Sequence, residues 1–372
     1  MGPVSEIPRT ELIDPLLPDA EALAEDVKRV LEGKWLSNGG PYVRTLEQEL
    51  ARRAGRQHAA AVSSATLGLM VALRALDWSG EVILPAFTFP ATAHAVVWAG
   101  LEPVLADVDP ETWTLDPASA ARVRGPKTAG VQAVNAFGVP PDVDSLHDAL
   151  PGLPILVDDA HGSGSRRPAA TPPACAVGSL HATKSILAGE GGVVFTDDDI
   201  LDARIRRISN FGMHDGRDCD VVGLNAKMPE LSAVLALHTL PFLDRTIEAR
   251  RAWAAVYVEA LSGRPGVSFQ RVPADVEWNA QFFGIDIDVS AFGASRDEVR
   301  GVLDAHGVVS RAYFHPAIHE MTCYRGRLRH DALPVSEALS RNVLCLPLRA
   351  DSDPGGAAWI GDLVLEVAAA GA

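Results

Sequence analysis

The chain has 372 residues, 47% hydrophobic and 22% charged, with a net charge of −15 at pH 7. That balance fits a soluble globular protein: no apolar run is long enough to span a bilayer, and the excess of acid disfavours nucleic acid and anionic membranes as partners. MGPVSEIPRT lacks the basic-then-apolar order of a signal peptide, and Cys175, Cys219, Cys323 and Cys345 are too widely spaced for a zinc site or a disulfide framework, so the expected location is a reducing cytoplasm and no metal is expected.

In chain order, residues 19 to 32 have helical spacing, with Leu23, Val27, Val30 and Leu31 on one side and Gly33 as the stop. The loop WLSNGGP follows, and then a second helix over 42–54. Short apolar runs then alternate with helices. AAAV (59–62) precedes a helix over 66–76, and EVIL (81–84) one over 90–98. PVLA (103–106) and VQAV (131–134) lead to the helical DVDSLHDAL, and PILV (154–157), VGSL (177–180) and GVVF (192–195) complete seven strands. Such alternation, with few polar positions inside the strands, predicts an α/β fold with a mostly parallel sheet covered on both faces. A long helical pattern over 231–261 must kink or break at Pro241. Beyond it FFGIDIDV, DEVRGVLDAHG and NVLCLPL form a smaller C-terminal α+β unit, so the expected division is 1–240 and 241–372.

Ligands in open parallel sheets bind beyond the carboxyl ends of the strands. After AAAV come Ser63, Ser64, Ala65 and Thr66, where free N–H groups at a helix start suit a phosphate; Ser64 could equally be a plain cap. Phe89, shortly after EVIL, could stack on a planar ring or belong to the core. PILV leads to Asp158 and Asp159, of which strand alternation lets only one enter a given crevice, and then to His161. VGSL, which contains Ser179, leads to His181, Thr183 and Lys184, ahead of a glycine-rich turn that by itself reads as a surface hairpin. A phosphate cradle, an aromatic plate, a carboxylate, an imidazole and a lysine in one crevice suit pyridoxal 5′-phosphate (PLP). The lysine forms a Schiff base with the aldehyde and the carboxylate keeps the ring nitrogen protonated.

WLSNGGPYVRTLEQELA, SSATLGLMVAL, EVILPAFTFPATAHAV, PVLADVDPETWTLDP, SLHATKSILAGEGGVVFTDD and VGLNAKMPELSAVLAL together resemble the DegT/DnrJ/EryC1/StrS aminotransferases, sugar aminotransferases of the aspartate-aminotransferase fold type I. The resemblance implies that Lys184 is the Schiff-base lysine and general acid/base, Asp158 the pyridinium partner and His161 a neighbour of the cofactor ring. It puts Phe89 at the stacking position and Ala65, Thr66 and Ser179 at phosphate-binding positions beside Ser64. It also implies that Asn225 reaches the phosphate across the interface of a homodimer with shared sites. Where the family commonly has Tyr-Arg and a phenylalanine, this chain has Ala226-Lys227 and Leu180.

The expected activity is transfer of an amino group from glutamate or glutamine to a nucleotide-linked keto-deoxysugar, with dTDP as the expected nucleotide. Lys227, Arg250 and Arg251 are candidates to meet the nucleotide diphosphate, and His315 and His319 to line the entrance. Amination of a cyclitol or other cyclic ketone would use the same cofactor site. A non-catalytic PLP-binding regulator would not require Lys184, and a nicotinamide enzyme would require a GxGxxG that is missing after the first strand.

Overall fold

The computed structural model describes residues 9–370 apart from 215 and 217; the stretch MGPVSEIP lies outside the described residues. Seven strands form where the apolar runs predict them: β1 His58–Val62, β2 Glu81–Pro85, β3 Glu102–Ala106, β4 Thr128–Val134, β5 Ile155–Asp159, β6 Cys175–Ser179 and β7 Gly192–Thr196. They share one sheet with a short eighth strand, Arg329–His330, in the order Arg329–His330, β3, β2, β4, β5, β6, β7, β1. The expectation of seven strands is therefore corrected to eight. The added strand is two residues long and polar, and it carries no apolar period to betray it. Only β7 runs against its neighbours β6 and β1.

The strands are apolar at successive positions because both faces are covered. Val82 and Leu84 pack with the helices Ala65–Ala75 and Pro90–Trp98, whereas Ile83, between them, packs with Val104, Val131 and Leu146 on the other face. Below β1 and β7, Ala59, Ala61 and Val193 meet Leu46 and Leu50 of the helix Pro41–Ala54.

Pro241 breaks the long helical pattern as expected, into Glu230–Thr239, a single 3₁₀ turn and Leu243–Leu261. The last of these helices joins two cores. Leu243 and Ile247 pack with the main sheet, and Trp253, Tyr257 and Leu261 pack with a second, smaller sheet. That sheet is antiparallel and made of Val267–Phe269, Phe283–Ile287 and Val343–Leu346. The helices Arg296–Ala305 and Gly355–Ala370 cover it. The chain also returns on itself: Ile13–Asp14 pairs in parallel with Leu348–Arg349, and Arg349 Nη2 donates to Asp14 Oδ2 at 2.7 Å. Among the described residues no helix is long and apolar enough to cross a membrane.

Candidate active site

The twelve-residue excursion from Ser179 to Gly192 links two antiparallel neighbours, as a hairpin would. Its base is zipped by Leu180 N–H to Gly191 O at 2.9 Å and Ala182 N–H to Gly189 O at 2.9 Å. Lys184 at its tip nevertheless turns inward. It is half-buried, its Nζ lies 5.6 Å from the Phe282 ring centroid, and burial pulls the ammonium down to about 8 against the pull of Asp158. Near neutral pH such an amine has an appreciable neutral fraction.

The pair Asp158 and Asp159 divides as strand alternation demands. Asp158 is buried, accepts from Thr92 Oγ1 at 2.8 Å, and shares an electrostatic neighbourhood with Lys184. Thr92 in turn contacts the hydroxyl of Thr88 at 2.8 Å. Burial raises the Asp158 carboxyl above its ordinary range; the Thr92 and Ala160 hydrogen bonds and Lys184 only partly oppose this. Asp159 points to the other face, where Asn135 Nδ2 donates to it at 2.9 Å, and burial raises it to about 7. The carboxylate associated with Lys184 is thus Asp158.

His161 is buried among aromatic rings. Phe314 and Phe137 stack on it with centroids 6.0 Å away, and Phe282 meets it edge-on at 4.9 Å. Phe137 N–H donates to His161 Nδ1 at 3.3 Å, and burial holds the imidazole well below its ordinary pKa. The ring is neutral, with Nδ1 as acceptor and its proton on Nε2.

The opposite wall is open. Ser64 caps the helix Ala65–Ala75 by accepting from Leu67 N–H at 3.2 Å, so its hydroxyl does serve as a cap. Ala65 and Thr66 follow in the first turn, where N–H groups have no intrahelical acceptor. Gly192 lies hard against that turn: a Cβ there would come within 2.6 Å of Ala65 N. Only glycine lets β7 approach the helix start so closely. Ser179 is buried nearby along β6, and its Oγ accepts from His181 N–H at 3.3 Å. Phe89, just before the helix Pro90–Trp98, is 53% exposed, which is not the environment of a core residue. Asn225 is exposed, on a segment whose Ala226 carbonyl accepts from Ser63 N–H at 2.7 Å.

The remaining candidates scatter. Lys227 is half-buried with its Nζ 4.5 Å from the Phe211 ring centroid. Arg251 is exposed, donates to Trp278 O at 2.6 Å, and lines an apolar cavity of about 380 Å³ with Phe269, Trp278 and Phe282. Arg250, a candidate to meet a diphosphate, is instead fully buried, because its turn of the helix faces the junction between the two cores. His315 is exposed beside Ser340, and His319 is tied to Glu337 at 3.4 Å, its ring tilted against that of His330. Neither histidine is among the groups that act on Lys184.

Sequence reasoning passed over Thr88, Thr92, Phe137, Phe282 and Phe314. The two threonines were within reach of it, since hydroxyls four residues apart after a strand end fall on one side of a helix start. The three phenylalanines lie far apart in the sequence and meet only in the fold.

Three features suit PLP: a glycine-cleared helix start for a phosphate, a buried carboxylate poised for a protonated ring nitrogen, and an inward lysine with a depressed pKa. Among the described residues no cluster of His, Cys, Asp and Glu is arranged to hold a metal ion.

The profile of the DegT/DnrJ/EryC1/StrS aminotransferase family matches residues 18–362. A dTDP-4-amino-4,6-dideoxy-D-glucose transaminase of Escherichia coli is 31% identical over 91% of this chain and 93% of its own. Among solved structures, DesI in the presence of its TDP-sugar product superposes with a TM-score of 0.92 at 39% identity, covering 99% of this chain and 95% of that one. DesV of S. venezuelae in complex with a ketimine intermediate gives 0.87 at 28% identity, covering 97% and 99%.

Proposed function

The chain belongs to the DegT/DnrJ/EryC1/StrS aminotransferase family, and on that premise we propose that it is a PLP-dependent aminotransferase that converts a dTDP-linked keto-deoxysugar to the amino sugar, with glutamate or glutamine as donor. The observation that carries this reading is the pairing of an inward Lys184 with the buried Asp158 at the carboxyl ends of adjacent strands. The sugar class is supported by the likeness to DesI with its TDP-sugar product.

When bound, PLP supplies the aldehyde and the electron sink. The rest falls to this chain. Ala65 and Thr66 offer backbone N–H groups to the phosphate, assisted by Ser179. Asp158 would hold the positive charge of a protonated ring nitrogen, with Thr92 Oγ1 donating to its Oδ2 to fix the carboxylate. Phe89 would cover one ring face. His161 is locked by the Phe137 N–H and the stacked rings, and would offer its Nε2–H to the cofactor ring. Lys184 Nζ removes the proton from the donor's α-carbon and returns one on the other side of the transfer, a task suited to an amine titrating near 8. Lys227 and Arg251, the accessible cations of the original set, are offered to the diphosphate, and His315 and His319 to the entrance.

We further assign residues up to 240 to the cofactor-binding unit and 241–372 to the smaller unit, with the helix Leu243–Leu261 as their shared beam. The working form is a homodimer in which Asn225 of one copy serves the other copy's phosphate; its exposed amide supports this. The four free cysteines, two of them buried, accord with a reducing cytoplasm.

Borohydride reduction of the PLP-loaded protein, followed by peptide mapping, should place the pyridoxyl group on Lys184. An adduct on another lysine would falsify the assignment. Amine transfer from glutamate and glutamine to a panel of dTDP- and UDP-keto sugars then tests the substrate: turnover confined to non-nucleotide cyclic ketones would overturn it.

A further inference from the structure

Arg250 is 0% exposed, yet among the described residues it has no carboxylate partner. The contrast with Arg296 is direct, since that buried guanidinium meets Asp297 at 3.0 Å and the Ser340 carbonyl at 2.9 Å. Around Arg250 only Nη1 is used. It donates to Ser185 Oγ at 2.8 Å and, more distantly, to Gln281 Oε1 at 3.4 Å, while Nε and Nη2 are buried without partners. Burial alone draws the guanidinium down to about 10. An unpaired buried cation is costly, and a fold that needed only to fill this space could do so with an apolar side chain.

Its contacts indicate a use. Ser185 follows Lys184 directly. Gln281, the second partner, donates its Nε2 to Thr183 O at 3.1 Å, and Thr183 directly precedes Lys184. One guanidinium from the helix Leu243–Leu261 therefore holds the residues on both sides of the lysine. The groups that face the Lys184 amine are Asp158 from β5, the neutral His161 after it, the Phe282 ring, and Arg250. Arg250 is the positive one among them.

We propose that Arg250 is a positioning residue for the reaction at Lys184: it clamps Thr183 and Ser185, and its uncompensated positive charge favours the neutral, nucleophilic form of the Lys184 amine. A like charge nearby in a low-dielectric interior destabilises an ammonium, and enzymes activate lysines in this way. The absence of a carboxylate beside Arg250 is then functional, because an ion-paired guanidinium would exert little field on its neighbour. The proposal rests on Lys184 being the reacting amine.

The test measures the charge state of Lys184, not turnover. In the full chain freed of PLP, acetic anhydride labelling of Lys184 is followed by mass spectrometry across pH, and the visible absorbance of the PLP-loaded protein is titrated in parallel. Arg250→Met should raise the labelling midpoint by about one pH unit, which is about tenfold slower labelling at a fixed pH near 7.5. Arg250→Gln, which stays neutral but can still donate to Ser185, should shift it the same way and serves if the Met variant does not fold. Arg250→Lys keeps the charge and should stay near the wild-type midpoint. An unchanged midpoint in the neutral variants, or a shift in Arg250→Lys as large as in Arg250→Met, overturns the proposal. A wild-type protein with no visible band on PLP addition would instead count against the cofactor assignment and leave the labelling result standing.

Discussion

The two walls of the site are built differently. The wall carrying Lys184, Asp158 and His161 is closed: each side chain has partners within the chain, and aromatic rings exclude water around the imidazole. The wall carrying Thr66, Phe89 and Asn225 is open: all three are exposed. A closed wall fixes geometry and shifts proton affinities, because desolvation acts on every charge inside it. An open wall does neither until something covers it. The groups proposed to move protons thus sit where one chain can specify them alone, whereas the groups proposed to grip a ligand sit where, in the proposed dimer, a cofactor and a second copy would complete the contacts.

The largest expected effect falls on the closed wall. Asp158→Asn removes the charge that would hold the ring nitrogen protonated, and turnover should drop by orders of magnitude, about 10³-fold or more. Asp159→Asn, on the other face, should change turnover little. Its effect should instead appear in stability. Burial raises the folded-state pKa of Asp159 to about 7 from 3.8, so the folded chain binds more protons between those values and wild-type stability falls as pH rises from 4 to 7. Thermal melts of the cofactor-free Asp159→Asn protein should be flatter across that window. If the turnover ranking of the two variants came out reversed, the division between the carboxylates would be wrong.

Next in size is complementation across the open wall. Lys184→Ala and Asn225→Asp are each expected to be inactive, the second because its added charge repels the phosphate. In a mixed dimer of the proposed geometry both defects fall in one site and the other site is intact. Mixing should therefore restore part of the activity, approaching a quarter of wild type on random pairing, since about half of the dimers carry one intact site. Subunits that demonstrably exchange yet stay inactive would show that each chain completes its own site.

The smallest effect is Phe89→Ala. Loss of a stacking ring should weaken PLP binding by about 1 kcal/mol, or several-fold in Kd. The melting temperature of the cofactor-free protein should hardly move, because the ring is already 53% exposed. A large drop in that temperature would return Phe89 to a structural role.

The sequence carried most of the fold because the strands of a covered sheet leave unbroken apolar runs and prolines mark several helix boundaries. Pro90 and Pro241 both mark boundaries where the structure has them. Arg329–His330 was not legible, since two polar residues pair by position alone. In the site, Lys184 and the acid pair stood out because polar groups after apolar strands are conspicuous. The choice between Asp158 and Asp159 was not, because it depends on which face Thr92 and Lys184 occupy. Arg250 was misjudged for a related reason: on a helix that spans two cores, its turn faces the junction and not water.

The pairing of Ile13–Asp14 with Leu348–Arg349 has a consequence in time. Asp14 and Arg349 are 335 positions apart, so a ribosome working at about 5–20 residues per second needs about half a minute between making one partner and making the other. During that interval the early strand has no edge to join, although the main sheet's first seven strands, complete by Thr196, can already assemble. Docking of this strand therefore reports completion of the C-terminal part, and a protease cut near Asp14 should mark chains whose synthesis or folding stopped short of it.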